Sequence, residues 1–290
     1  MPITSQATVL VVLRGGLGNQ LFQYAAARSI AARNRMELLL DTDTGFRNDP
    51  YQRSYRLDQF RIAASSASVD QIARFAPARV RCNLRRLREK ALLRANLSFD
   101  PLTAHLGRSR LILLNGYFQS EDYFASISGR LREDLRLKSE PTSSAVLKIR
   151  DQIFDSNAVC LHVRRLGGYS ASRTPVRVVG PPFCTPDYYR RACNHFLEKT
   201  SHPRFFVFSD CPEWVPDGLH FVPDKVVVGL DTPTSDIDDL WLMAHCAHFI
   251  VADSTFSWWA AWLGSNPAKQ VVAPANWGPR HLVPKDWIRL

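Results

Sequence analysis

No stretch of the 290-residue sequence approaches the about 20 consecutive apolar residues that a membrane-spanning helix needs. The beginning, MPITSQATVLVVLRGG, has no basic leader and no small-residue cleavage site. Its apolar run passes straight into a polar glycine loop, so it reads as a first strand and not as a signal peptide. Six cysteines (82, 160, 184, 193, 211 and 246) are scattered without paired spacing. Cys160 and Cys246 fall in apolar runs, as buried thiols do, and a reduced, cytoplasmic setting is expected. His245, Cys246 and His248 lack a second ligand pair, so no zinc site is read there. No Asp-x-Asp pair stands at a strand end, where a metal-diphosphate site would want one; Asp236 and Asp238 lie in a helix-opening segment. Arginines are expected to take the place of a metal, and no resident cofactor is expected.

What remains suits a globular protein of two domains: 46% of residues are hydrophobic, enough for a sizeable core. The net charge is +10, from 37 Lys and Arg against 27 Asp and Glu, which fits an anionic partner. Much of the excess is local. Residues 74 to 94, RFAPARVRCNLRRLREKALLR, carry eight basic side chains against the single acid Glu89. A solvated helix face accounts for such a run, and so does peripheral contact with anionic lipid through residues 79 to 94. Nucleic acid is not the expected partner, because no binding module or stacking motif accompanies the charge.

Strand and helix patterns alternate twice along the chain. ATVLVVL, MELLLD and RLILLNGYF read as strands of a first half, with the alanine-rich helix LFQYAAARSIAARN after the turn GGLGNQ. The passage LREDLRLKSEPTSSA, residues 131 to 145, approaches a domain boundary. AVCLHVR, RFFVFSD, HFIVAD and KQVVAPA are the strands of a second half. Between them lie PDYYRRACNHFLEKT, with Pro186 in its first turn, SDIDDLWLMAHC, capped by Ser235, and STFSWWAAWLGS. Such alternation predicts an α/β fold of two Rossmann-like, doubly wound domains, residues 1–150 and 151–290, facing across a cleft. Ligands of such sheets bind beyond the carboxyl ends of the strands, where every notable motif falls.

GGLGNQ, residues 15 to 20, lets the backbone approach a ligand and offers helix N–H groups to an anion. As a dinucleotide loop it is incomplete: Gly16 and Gly18 match, Asp41 ends the next strand, but Leu21 occupies the third glycine position. A purely structural turn is the alternative. In CLHVRR, His162 and Arg164 share one strand face and Arg165 the other. Paired guanidinium forks bind a diphosphate bidentately and stay charged at working pH; pairing with a surface acid is the bland alternative. Ser209 and Asp210 end a strand in FSDCPEW, where a carboxylate can accept from a guanine edge or simply cap the turn. Ser254 and Thr255 can cap the last helix while their N–H groups meet phosphate. Phe256, Trp258, Trp259 and Trp262 form an aromatic cluster of the kind that more often packs a core.

Taken in order, GGLGNQLFQYAAARSIA, GYFQSEDYF, HVRR, FSD, DIDDLWLMAHCAHFIVADSTFSWWAAWLG and VVAPANW resemble the alpha-1,2-fucosyltransferases of glycosyltransferase family 11. More broadly they resemble the fucosyltransferases of two-Rossmann, GT-B fold. The resemblance implies transfer of L-fucose from GDP-beta-L-fucose to a sugar hydroxyl, with inversion and without a metal. It implies that His162 and Asp210, with Ser209 beside it, contact guanine, and that Arg164 and Arg165 clamp the diphosphate. Ser254, Thr255 and Phe256 would lie at the phosphate side, and Gly16, Gly18 and Asn19 at the sugar. One departure stands out. Where the family reads HxRRGDY, this chain reads HVRRLGGY, with an added residue and no acid. Either Asn19 positions the acceptor with no strong base, or Glu121, Asp122 or Asp253 serves instead, Asp253 standing where the family usually has asparagine. Loss of transfer, leaving a GDP-sugar-binding protein, or use of another GDP-sugar are the rival readings. The eukaryotic relatives carry a membrane anchor that this sequence lacks, so a bacterial-type enzyme of surface polysaccharide synthesis is expected. Its carbohydrate or lipid-linked acceptor would lie at the inner face of the plasma membrane. The loop 165 to 186 is expected to supply part of the acceptor site.

Overall fold

The computed structural model describes residues 7–76, 111–165, 184–278 and 282–290. The basic stretch 79 to 94 and most of the loop 165 to 186 lie outside the described residues. The chain divides into two compact units, residues 1–49 with 53–136, and residues 50–52 with 137–290. This division falls ahead of residue 150 because the helix Ser144–Phe154 packs on strand and helix of the second unit.

The first unit holds a four-stranded parallel sheet in the order β3-β2-β1-β4, with β1 Thr8–Val12, β2 Glu37–Asp41, β3 Ser65–Ser66 and β4 Leu111–Leu114. Every residue of β1 is buried, as in a central parallel strand covered on both faces. The helix Leu17–Asn34 covers this sheet; Leu10, Leu39 and Phe75 form a core cluster with Ile72, Leu111 and Leu113 packed against it. The glycine turn is shorter than its sequence suggests. Gly16 is the helix N-cap, and Asn19 and Gln20 already donate their N–H groups to its carbonyl, so Leu17 to Gln20 form the first helical turn.

The second unit is a six-stranded parallel sheet in the order β10-β9-β8-β5-β6-β7. Its strands are β5 Asn157–Val163, β6 Pro203–Ser209, β7 Lys225–Val227, β8 His248–Ile250, β9 Val271–Ala273 and β10 Ile288–Arg289. Numbered within the unit this is 6-5-4-1-2-3, the Rossmann order. The short edge strands β3, β7 and β10 carry little periodic pattern, which is why the sequence does not announce them. Sequence capping signals are realised: Thr185 with Pro186 opens the helix Pro186–Lys199, and Ser235 with Asp238 closes a capping box on Asp236–Ala244. Tyr188, Tyr189 and Phe196 pack with Val159, Leu161 and Val207 on one core. Trp258, Trp259 and Trp262 are buried, so these rings are core. No helix among the described residues is long and apolar enough to cross a membrane.

Candidate active site

The chain order reverses at β5, which has β6 on one side and β8 on the other. Register then sets the chemistry. Val163 pairs with Ser209, so Arg164, one residue past the strand end, is level with Asp210. Leu161 pairs with Ile250, the last pair of that ladder, and Asp253 stands in the turn that follows, near enough for the charge of Arg164 to act on it. Arg164 Nε pairs with Asp210 Oδ2 at 3.1 Å, with the carboxylate side chain only 7% exposed. Asp210 Oδ1 accepts the main-chain N–H of Arg165 at 2.8 Å. The Arg165 guanidinium lies over the Trp214 ring, 4.1 Å from its centroid. One carboxylate thus holds the Arg164 guanidinium and the Arg165 main chain, and Ser209 Oγ holds the following turn through the N–H of Cys211 at 3.0 Å.

His162 is 5% exposed, its Nδ1 has no hydrogen-bond partner, and its ring lies 5.9 Å from that of Phe256. Burial, and after it the charge of Arg164, pulls the His162 pKa down to about 3, so the ring is neutral near neutral pH. Tyr189 Oη donates to the His162 carbonyl at 3.2 Å and Tyr188 Oη to the Val251 carbonyl at 2.7 Å, pinning the ends of β5 and β8. Asp253 accepts from the Cys184 thiol at 3.7 Å. Burial raises its proton affinity, against the opposing pull of its hydrogen bonds and of Arg164. Burial and the Asp253 charge push the Cys184 thiol up to about 12, so it is no nucleophile. Ser254 is the N-cap of the helix Thr255–Leu263, its Oγ accepting from the Phe256 N–H at 3.3 Å. His245 Nδ1 instead meets the Trp241 carbonyl at 2.7 Å, and no group of three or more metal-ligating side chains occurs among the described residues.

In the first unit the ends of β1 and β4 gather a different set. Arg14 donates to Asn115 Oδ1, and Gln119 Nε2 donates to Asn19 Oδ1 at 2.8 Å. Gly15, at φ +76°, has Asn19 Nδ2 only 2.8 Å from where a Cβ would stand, so a side chain there would expel Asn19. Gly16 and Gly18 flank this turn. Buried Gln20 donates to the Gly15 and Ser54 carbonyls, each at 2.9 Å, and accepts from Arg56 N. Phe118 holds a left-handed φ of 51°, strained for a bulky residue, just before Gln119 turns to Asn19. Asp41 is fully buried and accepts the N–H groups of Asp43 and Thr44, a loop-closing use. Glu121 and Asp122 open a 3-10 helix, where Ser120 Oγ donates to Asp122 at 3.2 Å and accepts its N–H.

His162, Arg164, Arg165, Ser209, Asp210, Asp253, Ser254, Thr255 and Phe256 therefore share the strand ends of one sheet. Gly16, Gly18, Asn19, Glu121 and Asp122 belong to the other unit. Trp214, Tyr189, Arg14, Asn115 and Gln119 were not singled out from sequence. Trp214, four residues past a strand-end aspartate, carried a readable signal; the tyrosines act through packing and carried none.

The profile of Glycosyl transferase family 11 matches residues 99–286. An alpha-1,2-colitosyltransferase of Escherichia coli is 27% identical over 97% of this chain and 98% of its own length. The O-antigen biosynthesis glycosyltransferase WbnK of Escherichia coli is also 27% identical, over 96% of this chain and 99% of its own. A galactoside 2-alpha-L-fucosyltransferase of Caenorhabditis elegans is 25% identical over 89% of this chain and 69% of its own. Among solved structures, fucosyltransferase NodZ from Bradyrhizobium superposes with a TM-score of 0.52 at 17% identity, covering 89% of this chain and 92% of that one. At that identity the likeness is one of fold, the GT-B type of the fucosyltransferases. With two Rossmann-type sheets and paired arginines at the reversal of the second, the chain belongs to glycosyltransferase family 11, the family of alpha-1,2-fucosyltransferases.

Proposed function

We propose that this glycosyltransferase moves L-fucose from GDP-beta-L-fucose to the 2-hydroxyl of a galactoside, inverting the anomeric centre and using no metal. The observation that carries the reading is the carboxylate-oriented arginine pair at the reversal of the second sheet. When the acceptor oxygen attacks the anomeric carbon, the bond to the diphosphate breaks and negative charge grows on GDP. Preorganised guanidinium groups stabilise that charge more in the transition state than in the bound donor. His162, Ser254, Thr255 and Phe256 surround the same strand ends and are assigned to the nucleotide. Gly16, Gly18 and Asn19 are assigned to the sugars. Asp210 keeps the clamp in register, a role that competes with a guanine contact because both its oxygens are engaged within the protein.

For the proton leaving the acceptor hydroxyl, Asp253 is the carboxylate we assign. It stands within reach of the Arg164 charge, and burial raises its proton affinity, as suits a base. Asp122 is committed to a local cap. The donor has one rival supported by an observation. Two relatives are named for the same position, alpha-1,2 and 2-alpha, yet one is a colitosyltransferase and the other a fucosyltransferase. We place the reaction in surface polysaccharide synthesis, after the O-antigen role in the name of WbnK.

Release of GDP from GDP-fucose, GDP-colitose and GDP-mannose, and of UDP from UDP-galactose, against a panel of galactosides with and without EDTA, tests this. Acceptor-dependent release from GDP-fucose alone supports the proposal. Release from GDP-colitose alone moves the reading to that sugar. Loss of release with EDTA overturns metal independence. GDP binding with no release from any donor would support the sugar-nucleotide-binding alternative.

A further inference from the structure

Arg165 is held at two points, and the second has a support of its own. Its main-chain N–H is tied to Asp210, and its guanidinium lies on Trp214. Trp214 packs with its other contacts on the core that contains Val163, Tyr189 and Val207. Beneath it runs the single helical turn Val215–Gly218. A Cβ on Gly218 would stand 2.0 Å from Cζ2 and 2.1 Å from Cε2 of the Trp214 ring, distances no pair of carbon atoms tolerates. Gly218 has no positive φ to demand glycine, so the reason is space: the indole lies directly against the backbone there. Trp214 thus touches both the Gly218 backbone and the Arg165 cation.

We propose that Trp214, seated on Gly218, is a positioning residue that presents the Arg165 guanidinium to the donor diphosphate. An unsupported arginine samples many rotamers, and ordering it must be repeated with each binding event. A ring face attracts the cation without satisfying its N–H donors, so these stay free for phosphate oxygens. A carboxylate would hold the group as well but would repel the ligand. The two arginines therefore differ: Arg164 is held by Asp210, and Arg165 by a neutral surface. The inference rests on the donor reading above.

The test is a double-mutant cycle on the full chain. Calorimetric GDP affinity and the separate kcat and KM for transfer are read for Trp214→Leu, Trp214→Phe and Gly218→Ala, each with Arg165 intact and with Arg165→Gln. With Arg165 present, Trp214→Leu should weaken GDP binding about tenfold, while Trp214→Phe, which keeps a ring face, stays within about threefold of the parent. In the Arg165→Gln background the same changes should cost less than about twofold, because the group they position is gone. Gly218→Ala should repeat the Trp214→Leu result in both backgrounds, and it keeps the test open if Trp214→Leu does not fold. Equal losses in both backgrounds would mean that Trp214 acts on the fold or on the nucleotide directly, overturning the inference alone. Absence of GDP binding by the unchanged protein would overturn the donor reading and this inference with it.

Discussion

The two sheets share a strand order around their first strand, 3-2-1-4 in one and 3-2-1-4-5-6 in the other, yet their reversal points are furnished with different chemistry. The first carries amides, with Asn115 bonded to Arg14 and Gln119 to Asn19. The second carries Arg164, Arg165, Asp210 and Asp253 around a neutral buried histidine. Amides give directional, uncharged hydrogen bonds, which suits hydroxyl recognition; a paired cationic clamp suits a diphosphate. The fold alone does not choose between these uses. The side chains at the strand ends do.

If the second reversal point carries the chemistry, Arg164→Ala or Arg165→Ala should lower kcat about 100-fold or more, equivalent to about 3 kcal/mol, with the melting temperature little changed. Lysine at either position should recover little of it. Wild-type rates in both alanine variants would break the contrast at its root. Asp253→Asn should lower kcat about 100-fold at unchanged GDP affinity if the residue is the base. An unaffected kcat would return the proton to solvent and leave Asn19 to position the acceptor.

The first unit offers the complementary test, of stability without chemistry. Asp134 is nearly buried and accepts from Tyr24 Oη and Arg28 Nε, each at 2.7 Å, joining the helices Leu17–Asn34 and Ser128–Asp134. Burial, and after it the hydrogen bond to Asp134, raises the Tyr24 pKa, so the hydroxyl stays protonated. Asp134→Ala strands Arg28 and should cost about 3 kcal/mol of stability, seen in urea unfolding, while the GDP affinity of whatever remains folded is unchanged. A parallel loss of GDP affinity would show that the donor site depends on this network.

His162 sharpens the contrast by pH. Its pKa falls from the usual 6.5 to about 3 on folding, so between those values the unfolded chain binds the extra proton and stability declines as pH falls. At pH 5 this group alone should cost about 2 kcal/mol, read as a lower urea midpoint than at pH 7. His162→Gln should flatten that part of the profile; an unchanged slope would mean that the ring is solvated. Smallest of all, Gln119→Ala should raise the acceptor KM only a few-fold, since it frees Asn19 without removing it, losing about 1 kcal/mol of hydrogen bonding.

Much of this was legible in the chain. Apolar runs such as TVLVV and the alternation of strand and helix give the α/β class; Ser235 and Ser254 mark helix starts through local hydrogen bonds that need no distant partner, and Pro186 marks another through its fixed φ. The HVRR and FSD motifs pointed to a strand-end site because ligands of such sheets bind there, although surface pairing and turn capping were open alternatives for the same residues. What the sequence left open was pairing. Whether Asp210 meets a ligand or Arg164, and which surface holds Arg165, depend on parallel register between β5 and β6, segments some 40 residues apart. Local propensity determines a strand; only burial of the whole sheet determines its neighbour and its register, because sliding a strand would expose apolar side chains across a large area. Residue types, helix starts and the charge available to the site were therefore set by sequence alone. The orientation of that charge, Arg164 on a carboxylate and Arg165 on a ring, was decided only by tertiary packing.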